Sequence, residues 1–258
     1  MAKSSYLSRL PRSAQKRGDA GKGEIEVVTK KKKTREIEAE CADELSGSAL
    51  GKSGKRIGIL LEDEAHMVVR DALQYPSGAT GCRVRVIGKT QFDGVSGVVA
   101  LTHCDGQLYM RRIFRHPTRS WELEAVRGRR ESGETPKATV RKEVREELGF
   151  PVRQMTKIGT VCPDTALLAS VLDVFWVELG KGPERPEPED TEALGLLEKL
   201  SMTQVAERIS SGEIRDGYTI AALTLAQLAG FIETLRPTRA AKPLEQPIEV
   251  PVDAGEEQ

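Results

Sequence analysis

The sequence predicts a mixed α/β (α+β) fold in which a few helices cover a mixed β-sheet. Short runs rich in Val, Ile and Leu recur between turns that contain Gly or Pro, and helical signals gather mainly after residue 130. Strands and helices do not alternate in the regular βαβ order that a fully parallel sheet requires.

Residues 57–61 and 67–73 read as strands, followed by a turn at Tyr75-Pro76-Ser77-Gly78. Residues 83–87 alternate basic and apolar side chains, as a half-buried strand does. The Val-rich stretch 94–102 reads as a buried strand. Asp105-Gly106 then turns the chain back into a strand over 107–114. Thr135-Pro136 starts a helix, with Thr as N-cap and Pro in the first turn, and Gly149 ends it. Strands are expected over 158–161 and 171–179, a Pro-rich acidic loop over 181–192, and helices over 201–210 and 218–235. In the last of these, Ile220, Leu223, Leu228, Phe231 and Leu235 recur at helical spacing.

The termini read differently. Residues 1–55 are rich in Gly, Ser, Lys and Arg and include the run Lys30 to Lys33, which suits a solvated tail or a polybasic arm able to touch nucleic acid. From Arg236 the chain is Pro-rich and then acidic, a second tail. The folded domain is therefore expected over 56–235. The 258 residues carry a formal net charge of zero, so the whole molecule has no electrostatic bias toward nucleic acid or membrane. No apolar run approaches the roughly 20 residues of a membrane-spanning helix. The basic N-terminus lacks the apolar core of a secretory signal, although a Ser- and Arg-rich transit peptide stays open. Cys41, Cys82, Cys104 and Cys162 are widely spaced and read as reduced thiols, which places the protein in the cytoplasm. His66, His103 and His116 show no metal-ligand spacing. Trp121 and Trp176 read as packing residues, with Trp121 near the presumed site mouth, while Tyr75 and Phe92 are candidates to stack on a base.

The chemistry-bearing stretch is residues 128–150, GRRESGETPKATVRKEVREELGF. On a helix, Glu143, Glu146 and Glu147 stand at i, i+3 and i+4 and share a face, while Val140, Val144 and Leu148 form a separate apolar stripe. Clustered carboxylates repel one another unless a cation compensates them, and Mg²⁺ prefers oxygen ligands. Taken alone, such a segment is an ordinary solvated helix face with ion pairs such as Lys142 to Glu146.

The wider spacing decides the matter. Gly128, five residues, Glu134, seven residues, then Lys142, Glu143, Val144, Glu146, Glu147, Gly149 and Phe150 resemble the Nudix box, with Lys142 in the place of the box Arg. The resemblance extends over residues 61–232 and implies the Nudix α/β/α sandwich with a mixed sheet and a catalytic loop-helix-loop. It further implies that Glu143, Glu146 and Glu147 bind Mg²⁺ (or Mn²⁺), that the backbone carbonyl of Arg127 joins them, and that Glu134 supports the loop. Lysine at 142 keeps the charge of the box Arg but loses its planar fork.

The segment 113–128 resembles that of ADP-ribose pyrophosphatases, which implies a diphosphate contact for Arg115 and a place near the substrate for Glu124. Residues 163–165 and 212–217 also resemble that group. Arg127 departs from the small residue common before the box glycine. A general base on the acidic loop is implied as well, with Glu192 first and Glu189 and Asp190 behind it. The resemblance thus implies hydrolysis of ADP-ribose or a related nucleoside diphosphate sugar. The alternatives are a dinucleoside polyphosphate, a capped RNA end, or a non-catalytic nucleotide-binding module.

Two expectations concern the rest of the chain. Removal of residues 1–50 should leave hydrolysis nearly unchanged. The apolar strands of segment 57–87 should pair across a two-fold axis in a homodimer.

Overall fold

The computed structural model describes residues 6–44, 57–89, 95–182, 186–187, 193–233 and 235–236. Three short 3₁₀ turns (Tyr6–Arg9, Arg12–Gln15, Ala20–Lys22) lead into β1 (Glu26–Val27) and α1 (Lys31–Glu44). Then come β2 (Gly58–Glu62), β3 (His66–Gln74), β4 (Thr80–Gly88), β5 (Gly97–Cys104), β6 (Gln107–Arg115), β7 (Ser120–Glu124) and β8 (Val126–Arg129). Helix α2 (Pro136–Glu143) runs on into a π-helical turn at Val144–Leu148. The chain closes with β9 (Val152–Val161), β10 (Leu168–Ala169), β11 (Leu172–Leu179), β12 (Leu194–Leu200), α3 (Met202–Ser210) and α4 (Gly217–Leu228).

The central sheet has seven strands with the path β12-β6-β5-β11-β9, and β7 and β8 pair with β6 and β5. It is mixed: β5 and β11 run parallel and the other pairs antiparallel. Side chains alternate across a strand, and this period divides the core into two layers. Val99, Leu101, Leu108, Met110 and Val174 face α3 and α4, where Val205, Ala222, Leu223 and Ala226 meet them. Val98, Ala100, Tyr109, Phe175 and Val177 face α2, against Val140, Val144 and Leu148. The result is the expected α/β/α sandwich. Asp105 and Gly106 both have positive φ (49° and 76°), the backbone of a tight two-residue hairpin, and Cys104 pairs with Gln107 across it.

Strands β7, β8 and β12 lie where the sequence reading has none. The final helix stops at Leu228 rather than 235, because Gly230 (φ 76°) donates to Gln227 O and Phe231 N to Ala226 O, a Schellman closure.

The N-terminal reading needs correction. Residues 6–44 fold onto a second, five-stranded sheet in which β3 pairs with β1, β2 and β4, and β4 pairs with β10. Leu7, Leu10 and Ala14 bury Met67, Val69, Leu73 and Ile87 on one face of this sheet. On its other face Val28, Ile37 and Cys41 bury Ala72. The apolar anchors are few and separated by Lys, Gly and Ser, so composition hides them; their partners are strands far downstream in the chain. Asp71 is buried and takes the Arg85 guanidinium (Nε to Oδ2 2.6 Å) and the Tyr6 hydroxyl as donors. Desolvation pushes the Tyr6 pKa well up, and the bond to Asp71 adds to this.

Much of the apolar surface of segment 57–87 is covered by its own chain. One further expectation falls with the tail. Cys41 and Cys82 form a disulfide, with Cα atoms 6.3 Å apart, rather than standing as reduced thiols; Cys104 and Cys162 are free. The cytoplasmic assignment loses that ground, and what stands is that no helix among the described residues is long and apolar enough to cross a membrane. Segment 45–56 and the residues from 237 onward lie outside the described residues.

The N-terminal cover is therefore part of the fold's stability. Leu10→Ala should destabilise the protein by about 2–5 kcal/mol, measured by urea unfolding. Removal of residues 1–30 should expose the β3 and β4 face and yield an aggregating product, against the expectation of a dispensable tail.

Candidate active site

Helix α2 is fixed at both ends. The Thr135 hydroxyl accepts from Ala138 N at 3.2 Å, with Pro136 behind it in the first turn. Gly149, in the left-handed region (φ 75°), donates to Arg145 O at 2.9 Å. Between these ends the apolar stripe is fully buried on the sheet. The acidic residues opposite are not on a solvated face either: Glu143 and Glu147 are buried, and Glu146 is partly so. They lie against β8. Gly128 is required there, since a Cβ on it would stand 1.8 Å from the Glu143 carboxylate. Glu147 Oε1 accepts from Arg127 N at 3.3 Å. The β8 backbone at Arg127 and Gly128 thus meets two carboxylates one helical turn apart. The π-helical turn, with its wider i→i+5 closure, falls on Glu146 and Glu147, a distortion often found at functional sites.

The loop entering the helix is braced by Glu134. Its Oε2 accepts from Glu131 N (3.1 Å) and Thr139 Oγ1 (3.0 Å), and its carbonyl accepts from Arg130 Nε (2.8 Å). Lys142 reaches Glu131 at 2.5 Å and Glu146 at 4.0 Å. Among the described residues no group of three or more His, Cys, Asp or Glu side chains is gathered tightly enough to hold a metal ion. The three carboxylates are neighbours along one face and do not converge on a point. Carboxylate oxygens beside the backbone of β8 do match a hard divalent cation in donor chemistry.

Beside the helix stands an arginine cluster built on Glu124, whose side chain is 1% exposed. Arg115 donates to it from Nη2 (2.7 Å) and Nε (3.1 Å), and Arg127 Nη2 lies 3.0 Å from the same Oε2. Burial opposes the Arg115 charge, but the bond and charge of Glu124 outweigh it and raise the pKa. Arg127 also donates to Asp216 Oδ1 (3.1 Å) and stacks on the Tyr218 ring at 4.7 Å. Next to this cluster Arg215 holds Glu122 through two bonds of 2.7 and 3.0 Å. A cavity of about 630 Å³ lies beside Arg115, Arg127 and Glu143. Its lining is charged at these residues, Arg129, Glu131 and Lys142 and neutral at Val86, Leu168, Leu172 and Tyr218, so β4 of the second sheet and β10 contribute to the site.

Residues 93–217 match the family model of the NUDIX domain. This segment is a Nudix domain. Similar proteins include an ADP-ribose pyrophosphatase of Bacillus subtilis (strain 168), 27% identical over 177 residues, covering 68% of this chain and 88% of the relative. A GDP-mannose pyrophosphatase of Escherichia coli O157:H7 is 29% identical over 103 residues, covering 38% of this chain and 52% of the relative. A crystal structure of an ADP compounds hydrolase shares the fold, with a TM-score of 0.57 at 19% identity over 68% of this chain and 93% of that one.

Within the Nudix domain, Glu143, Arg127 and Arg115 line this cavity, whereas Glu147 and Glu124 are buried behind it against Arg127 and Arg115, and Glu146 lies outside its lining. Glu124 faces the arginines rather than open space. Glu192, with Glu189 and Asp190, lies outside the described residues, as does Phe92. Tyr75 belongs to the N-terminal sheet, where its hydroxyl accepts from Arg83 Nε at 3.2 Å. Sequence reasoning missed the side chain of Arg127, Asp216 as its anchor, Tyr218 under its guanidinium, and His66 in the cavity lining. Arg111 was missed as well: burial lowers its pKa, with the charge of Glu147 opposing. Asp216 before Gly217 was the one readable signal, as an N-cap, and its Oδ2 does accept from Thr219 N at 2.9 Å.

The Glu122 carboxyl, held by the Arg215 bond, is pulled down to about 2 from its ordinary 4.5. A depressed carboxyl contributes stability above its unfolded pKa and loses it as pH falls toward the folded value. Arg215→Gln should therefore lower the urea midpoint at pH 7, and its gap to wild type should close between pH 4.5 and about 2, followed by fluorescence.

Proposed function

We propose that this Nudix domain is a Mg²⁺-dependent pyrophosphohydrolase that cleaves ADP-ribose, or a related nucleoside diphosphate sugar, into a nucleoside monophosphate and a sugar phosphate. The observation that carries this reading is the shared cavity, lined by the buried box carboxylate Glu143 and by Arg115, which Glu124 anchors. The names of the B. subtilis and E. coli relatives point to the same substrate class.

In this reading Glu143, Glu146 and Glu147, with the Arg127 carbonyl, would hold Mg²⁺, or Mn²⁺ in its place. Bound there, the metal would neutralise phosphate charge and lower the pKa of a water nucleophile. The protein's own groups do the rest. Arg115 donates to the diphosphate oxygens, and Glu124 keeps its fork aimed and charged. The neutral lining residues Val86, Leu168, Leu172 and Tyr218 take the uncharged part of the substrate. A carboxylate of the loop 184–192, Glu192 first, takes the proton of the attacking water. ADP-ribose would give AMP and ribose 5-phosphate.

A screen of nucleoside diphosphate sugars with Mg²⁺, reading AMP and sugar phosphate release, tests the assignment; absence of turnover on every member refutes it. Glu147→Gln keeps size and an acceptor for Arg127 N but removes a negative charge. It should lower kcat at least about a hundredfold with the thermal midpoint nearly unchanged. Wild-type turnover in this variant at saturating Mg²⁺ would remove α2 from the metal site.

A further inference from the structure

A second cavity of about 370 Å³, lined by Glu122, Arg215 and Asp216, adjoins the one that holds the Nudix box. Arg115, Pro117 and Arg127 line both. Of these, Arg127 is the side chain fixed from several directions: Glu124 at 3.0 Å, Asp216 at 3.1 Å and the Tyr218 ring at 4.7 Å. It is also mostly buried. A long side chain normally loses much entropy when held in one place; here two ion pairs and an aromatic face hold it across the boundary between two spaces.

We propose that the Arg127 side chain is a wall between these cavities and sets substrate size. With it in place, the room beside the box suits a diphosphate bearing one nucleoside and one sugar. A substrate with a second nucleoside would need both cavities and is excluded. The inference rests on the proposed pyrophosphohydrolase reading and sharpens its substrate class. The backbone N–H of residue 127 has a separate duty, toward Glu147, and truncating the side chain leaves it in place. Steric exclusion of this kind is worth about tenfold to a few hundredfold in selectivity.

The test compares Arg127→Ala, which removes the wall, with Arg127→Met, which keeps much of its length without the charge. The readout is the ratio of kcat/KM for diadenosine tetraphosphate to that for ADP-ribose. The same ratio is taken from affinities by titration calorimetry on EDTA-treated protein, where no turnover is needed. Arg127→Ala should raise both ratios at least about tenfold, while Arg127→Met leaves them within about threefold of wild type. An unchanged ratio in Arg127→Ala, or an equal rise in Arg127→Met, overturns the wall. Circular dichroism checks folding, and Arg127→Val carries the same expectation if the alanine variant does not fold. If wild type hydrolyses no nucleotide sugar, the proposed function fails while the affinity ratio still decides the wall; if neither ligand binds any variant, the wall fails too.

Discussion

The site depends on neutralising one buried charge. A carboxylate as deeply removed from water as Glu124 is costly unless it is paired and hydrogen-bonded. Two guanidinium groups meet that requirement from different strands, Arg115 on β6 and Arg127 on β8. Arg127 carries the link to Asp216, the N-cap of α4, and Asp216 in turn accepts from the Thr219 hydroxyl at 2.8 Å. Thr219 Oγ1 closes the circuit by accepting from Ala125 N at 3.0 Å, one residue after Glu124. A single desolvated charge thus ties together the cation facing the cavity, the strand before the Nudix box and the start of a core helix. Removing Glu124 would leave two arginines side by side, so the network has no cheap partial form.

The same economy governs the acidic helix. An ordinary amphipathic helix buries one stripe and solvates the other. Here both are buried: Val140, Val144 and Leu148 against the sheet, Glu143 and Glu147 against β8. This is feasible only because β8 approaches very closely. Gly128 leaves room for Glu143, and Gly97 on β5 leaves room for the Gly128 carbonyl, which a Cβ there would meet at 2.5 Å. Two glycines on paired strands therefore set how far the carboxylates are drawn out of water.

What could be read from the sequence follows from how local each signal is. The box helix was legible because Thr135, Pro136, the apolar stripe and Gly149 act within a few turns of chain. The central strand was legible as the continuous apolar run Val98 to Leu101, but such a run carries no alternation and does not tell which side chain faces which layer. The N-terminal segment was not legible, because Leu7, Leu10 and Ile37 are isolated apolar residues whose partners are supplied by distant strands. The edges of β7, β8 and β12 were hidden for a related reason. Arg, Glu and Gly interrupt them, and those residues build the Glu124 and Glu122 pairs, the close approach at Gly128 and, on β12, the Glu198 pairs with Arg112 and Arg208. Arg127 was legible as a departure from a pattern, but its meaning required Asp216, which is remote in the chain and adjacent in space.

Lys142 shows how a local weakening can spare a centre. A guanidinium at this position could grip carboxylates with a planar fork, whereas an ammonium is a point charge on a flexible stem. The lysine makes its short contact to Glu131 in the loop, at 2.5 Å, and stands 4.0 Å from Glu146. Glu143 and Glu147 meet the β8 backbone, through the space at Gly128 and the N–H of Arg127, and neither contact involves residue 142. The exchange of a fork for a point charge thus bears on the loop at Glu131 and on the outer carboxylate Glu146, while main chain bears on the two inner ones.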